Sequence, residues 1–139
     1  MAEFGPEASD PLARPFWEGA RAQRLLLPFA RASGVPCWYP RAGTDIEWRE
    51  IGGSATLFAF TVVRGPLNPD FEPPYAPALV ELAEAPGMRL VTQLVDCDFD
   101  TLACGMPLEL CFRELQPRAR AAFVAPVFRP ARRDEPIRS

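Results

Sequence analysis

The side chains able to do chemistry are few and of restricted types. No histidine occurs in the chain, and all fifteen basic side chains are arginine. Ser–His–Asp and Cys–His catalysis, histidine-ligated metals and lysine Schiff bases are therefore excluded. The cysteines are Cys37, Cys97, Cys104 and Cys111. No pair has the C-x-x-C spacing of a zinc knuckle. The even spacing of the last three is interrupted by Gly105 and Pro107, which a continuous helix would not tolerate. They read as buried, inert thiols. Cys37, in an aromatic loop, is the exception, a candidate nucleophile with no identified base. Asp96, Asp98 and Asp100 form a D-x-D-x-D run that lacks the glycine and distal glutamate of a calcium loop, so a solvated turn accounts for them.

The elements that must carry these residues are mostly strands. From Trp48 to Phe112, β-rich runs alternate with breaks: Trp48–Ile51, Ala55–Arg64, Pro77–Leu82, Arg89–Val95 and Pro107–Phe112, and a sixth run follows at Ala121–Phe128. Gly52-Gly53, Gly65-Pro66, Ala85-Pro86-Gly87 and Gly105 separate them. This spacing predicts a mainly β fold, a small antiparallel barrel over residues 45–130. Within Ala55–Arg64, alternation places Phe58 and Phe60 on one face, expected to point inward. Ahead of the barrel, residues 1–10 read as disordered. Asp10-Pro11 starts a helical arm that Pro15 divides, its second part being Phe16–Arg24. Arg24–Leu27 is a possible strand, and Pro28–Thr44 an irregular loop holding Trp38 and Tyr39. Phe16 and Trp17 either pack on the barrel or anchor a partner. Tyr75, after two prolines, should anchor a loop. Residues 131–139 form a basic tail.

A chain of 139 residues makes one domain, and its 48% apolar and 24% charged residues are those of an ordinary globular protein. Neither a signal peptide nor a membrane span is expected, which predicts a cytoplasmic protein. Between Gly65 and Glu114 nine acids face only Arg89 and Arg113. An acidic barrel without lysine suits a nucleic-acid backbone poorly.

The succession Pro15-Phe16-Trp17-Glu18-Gly19, Arg24-Leu25-Leu26-Leu27, Trp38-Tyr39-Pro40-Arg41 and Ile46-Glu47-Trp48 resembles the front half of the "domain of unknown function thirty-five" proteins. Phe58-Ala59-Phe60-Thr61-Val62-Val63, Ala78-Leu79-Val80-Glu81-Leu82, Gly105-Met106-Pro107-Leu108-Glu109 and Phe128-Arg129-Pro130-Ala131 resemble the back half. The resemblance implies a rubredoxin-like zinc ribbon followed by an OB-fold. Here the first knuckle falls on Ala30-Arg31-Ala32-Ser33, and the second on the short Ala42-Gly43-Thr44-Asp45, neither with a cysteine. A tetrahedral zinc needs about four ligands, so residues 11–44 are expected to be a helical arm and a vestigial ribbon without zinc.

The resemblance further implies an accessory, noncatalytic subunit of acyl-CoA metabolism. Such a subunit associates with a thiolase-like or aldolase-like partner, or an acyltransferase, in some cases with a hydratase-type subunit, and covers the partner's CoA channel. Acyl-CoA would then be a ligand, held by guanidinium groups at its phosphates and an aromatic wall along its apolar arm. Arg41 beside Trp38 and Tyr39, and Arg64, are the candidates for that contact. For Arg41 the competing expectation is surface pairing with Asp45 or Glu47. Phe16, Trp17, Trp38 and Tyr39 are the candidate partner contacts. An OB-fold nucleic-acid binder and a small enzyme using Cys37 or a carboxylate are the other readings.

Overall fold

The structure, a computed structural model, describes residues 11–66, 71–117 and 121–131. A 3-10 turn at Pro11–Ala13 leads into helix α1 (Arg14–Arg21), with Pro15 in its first turn, where a missing N–H costs nothing. The division expected at Pro15 is thus a change of helix type, not a break. Phe16, Trp17, Gly19 and Ala20 form the buried face of α1. A Cβ at Gly19 would lie 2.8 Å from the Leu26 side chain and 2.9 Å from the Arg24 carbonyl, so this glycine lets the helix lie directly on the next strand.

That strand, β1 (Leu26–Ala30), pairs antiparallel with β2 (Ile46–Glu50), and Pro28 faces Trp48. The pair forms a two-stranded sheet of its own. The strand expected at Trp48–Ile51 is therefore not one of the barrel strands. Trp48 belongs to the hairpin, whose partner strand lies before the loop, and the barrel begins at Ser54. Residue-by-residue propensity finds strands but not which strand each one pairs with.

The barrel comprises β3 (Ser54–Phe60), β4 (Ala76–Leu82), β5 (Arg89–Leu94), β6 (Pro107–Leu115) and β7 (Phe123–Pro130), closed in the order β3-β4-β5-β7-β6. The β3–β6 pairs Ser54–Glu109 through Thr56–Pro107 shut it. Only β5 and β7 run parallel, through Leu94 and Phe128. In β4 alternate residues are buried, Ala76, Ala78, Val80 and Leu82, as a sheet facing a core on one side requires. Leu57, Leu90, Leu108 and Phe128 fill the interior, and Val127 is buried on the other face of β7. Buried Thr92 donates its hydroxyl to the Pro126 carbonyl at 2.9 Å. Gly53 permits the entry to β3 to cross β6, because a Cβ there would sit 2.2 Å from Leu110 Cβ.

Phe58 does not point inward as expected, whereas Phe60 packs against the core. Leu57 faces the core at 1% exposure, Phe58 is 48% exposed, and Phe60 is half-buried. The register shifts between Leu57 and Ala59, so the alternation changes phase at Phe58. The Arg89 guanidinium covers its ring at 3.8 Å from the centroid. Tyr75 is buried and its backbone bridges Val63, holding the loop as expected. Among the described residues no helix is long and apolar enough to cross a membrane. The expectations for residues 1–10, the Asp10 cap and most of the basic tail lie outside the described residues.

Candidate functional site

Between β1 and β2 the chain makes a long loop, pinned at its base. Phe29 bridges Pro36, Cys37 N–H donates to the Pro28 carbonyl at 2.9 Å, and Gly34 N–H to Ala30 at 2.7 Å. Arg31 joins the two ends of the loop. Its Nε contacts Asp45 Oδ1 at 3.1 Å, Nη1 contacts Glu47 Oε1 at 3.3 Å, and Nη2 donates to the Ile46 carbonyl at 3.0 Å. These are the positions where the resembled ribbon carries its knuckles. The residues present do not fit a zinc ion: no cysteine stands there. Among the described residues no cluster of His, Cys, Asp or Glu could hold a metal.

The loop carries its aromatics onto the helix. Trp38 lies between Phe16, at 4.6 Å between ring centroids, and Tyr39, at 4.7 Å. Phe16 meets Trp17 edge-on at 4.9 Å, and Trp17 meets Phe123 of β7 edge-on at 5.6 Å. One row of rings therefore runs from the loop, through α1, to the barrel wall. Each such contact is worth about 0.5–1.5 kcal/mol beyond burial. Phe16 and Trp17 are only 3% and 8% exposed. As partner contacts they are withdrawn: the row consumes them, and they are core. Tyr39 at the outer end is 60% exposed. The indole Nε1 of half-buried Trp38 is covered and has no hydrogen-bond acceptor.

Trp38, Tyr39 and Arg41 come together, with Cys37, Pro40 and Thr44, around one depression of about 430 Å³. Arg41 does not pair with Asp45 or Glu47. Those acids are taken by Arg31, and Glu47 also by Arg49, so Arg41 forms no ion pair among the described residues. Arg64 does not line this depression. It follows β3 on a loop and contacts Asp100 Oδ1 at 3.2 Å, with both side chains largely in solvent. Such a pair contributes about 0–1 kcal/mol. A second depression, of about 480 Å³, lies between α1 and β7, lined by Trp17 and Phe123 with Arg14, Arg21, Glu18 and Glu114. The sequence reading missed it. Its signal was the two arginines seven residues apart on one helix.

The remaining reactive groups are dispersed. Cys37 Sγ donates to the Val35 carbonyl at 3.5 Å, and among the described residues no base is hydrogen-bonded to it. Burial, then the charges of Asp96 and Asp98, push the Cys97 thiol up from its ordinary value, and burial does the same for Cys111. The expectation of uniformly buried thiols is corrected, since Cys104 is exposed and the other cysteines are half-buried. The three aspartates do three separate jobs. Asp96 is hydrogen-bonded to Arg113, Asp98 accepts from Asp100 N–H at 2.9 Å to cap a 3-10 turn, and Asp100 holds Arg64.

Comparison with known proteins places this geometry. The model of the ChsH2 C-terminal OB-fold domain matches residues 48–113. A chain of the solved "Ltp2-ChsH2(DUF35) aldolase" is 32% identical, with a TM-score of 0.75 over 91% of this chain and 98% of that one. The "Probable enoyl-CoA hydratase alpha subunit" of Thermomonospora curvata is 38% identical over 84% of this chain and 37% of its own length. A "DUF35 domain-containing scaffold protein" of Methanothermobacter thermautotrophicus is 30% identical over 67% of this chain and 62% of its own. The chain thus spans little more than a third of the hydratase-subunit relative. The likeness to the aldolase chain covers nearly the whole of both chains. This chain belongs to the DUF35 family of OB-fold proteins.

Proposed function

We propose that the chain is a noncatalytic accessory subunit in acyl-CoA metabolism. It docks on a thiolase-fold partner (a thiolase, aldolase or acyltransferase) and helps cover that partner's CoA channel, in the cytoplasm. The observation that carries the reading is its likeness, over nearly its full length, to a chain of a solved aldolase. The chemistry agrees: the chain has no histidine or lysine, and among the described residues no base adjoins Cys37 to activate it toward a thioester. The relatives named as hydratase alpha subunits support a hydratase-type subunit as a further partner.

In this reading the Trp38–Arg41 loop faces the partner, and Arg64 stands nearer the CoA entrance, its weak pair with Asp100 readily exchanged for a phosphate. Co-expression with a thiolase-fold subunit from the same genome tests it. The two should co-purify, and thioester turnover should require the partner and rise with this chain. Turnover by the chain alone, abolished by Cys37→Ala, would refute the noncatalytic role.

A further inference from the structure

We infer that the loop docks by giving two hydrogen-bond donors, Trp38 Nε1–H and the Arg41 guanidinium, to a carboxylate on the partner's surface. The inference rests on the preceding reading and names the chemistry of the surface it contacts. Both donors are unmet among the described residues of the isolated chain. Nε1 is covered and has no acceptor, an exception among buried polar groups that costs about 1–3 kcal/mol. Arg41 is exposed and without an ion pair among the described residues, because Arg31 and Arg49 have taken the nearest acids. No carboxylate lines the depression. What the site lacks is one acceptor with a negative charge.

A protein carboxylate fits better than the phosphates of CoA. The depression offers one guanidinium, whereas a pyrophosphate with a sugar phosphate carries several charges and calls for several cations. Its remaining wall is Trp38, Tyr39 and Pro40, an apolar surface suited to the flanks of a peptide segment. Because Nε1 is covered, docking must shift a neighbour. Tyr39 is the one held least, 60% exposed and stacked on Trp38. In the complex the indole N–H would then cease to be an orphan, so that the cost of the unmet donor is recovered on binding.

The substitution that separates this from a packing role is Trp38→Phe, which keeps an aromatic ring in the row and removes only the N–H. Three tryptophans give three indole N–H resonances in a nitrogen-labelled chain, and Trp38→Phe identifies the relevant one. On adding the unlabelled thiolase-fold subunit, that resonance should move downfield. Trp38→Phe and Arg41→Gln should each weaken assembly by about tenfold or more. The unfolding midpoint of free Trp38→Phe should stay unchanged or rise, because a buried unmet donor is gone. A wild-type complex indifferent to both substitutions overturns this inference alone. A Trp38 resonance moved by free CoA overturns it in favour of a ligand site. Absence of any wild-type complex sinks both readings.

Discussion

In the barrel, five strands close on residues such as Leu57, Val80, Leu90 and Phe128, none more than 1% exposed. In the hairpin, β1 buries Leu27, Pro28 and Phe29, while no residue of β2 is fully buried and no third strand joins. A two-stranded sheet is marginal alone. This one is held by what lies around it: the helix on one side, the ring row reaching Phe123, and the Arg31 bridge across the loop ends. The barrel is stable through its own core, and the hairpin through borrowed contacts. The outer loop can therefore change with little effect on the fold, which makes it the natural place for recognition.

Three substitutions and one chelation test would break or sharpen this contrast. Phe128→Ala removes a fully buried ring at the one parallel junction of the barrel and should cost about 3–5 kcal/mol, read as a lowered denaturant midpoint with an unchanged slope. A cost under about 1 kcal/mol would show the barrel core is not what holds the chain.

A smaller effect belongs to the hairpin. Arg31→Ala should lower global stability by about 1 kcal/mol or less, since its partners are partly solvated, yet it should markedly speed proteolysis within the loop. A metal chelator should leave both the wild-type midpoint and the loop's protease resistance unchanged. Stoichiometric zinc by elemental analysis, with loosening on chelation, would mean that a metal rather than Arg31 ties the loop.

The smallest effect lies at the barrel rim. The Arg113 hydrogen bond, followed by the charges of Arg113 and Arg129, holds the Asp96 carboxyl below its ordinary value. A carboxyl depressed in the folded state stabilises above its unfolded pKa, and that contribution is lost as pH falls through the lower folded value. Stability should therefore decline slightly more steeply on acidification below about pH 4 in the wild type than in Asp96→Asn. Parallel profiles for the two would show that the contact is solvent-screened and adds nothing.

Much of the fold could be read from residues alone. Runs of β-branched and aromatic residues between Gly and Pro breaks located the strands of a barrel, because backbone preference and turn chemistry act within a few residues. The missing knuckle cysteines, the absence of histidine and the proline at the start of α1 are likewise local facts with direct chemical consequences. Pairing and burial are not local. That Trp48 sits in a hairpin with Pro28, that a bulge after Leu57 puts Phe58 and Phe60 on different faces, and that Phe16 and Trp17 vanish into a ring row all depend on segments distant in sequence.

The candidate site shows the same division. The sequence placed Trp38, Tyr39 and Arg41 side by side and offered Asp45 and Glu47 as partners for the arginine. Only the tertiary structure determined that Arg31 reaches those acids instead, leaving Arg41 without an ion pair and the Trp38 N–H without an acceptor among the described residues. Residue type sets which bonds a side chain can form. Which of them it does form is decided by competition among all groups within reach, and that competition exists only once the chain is folded.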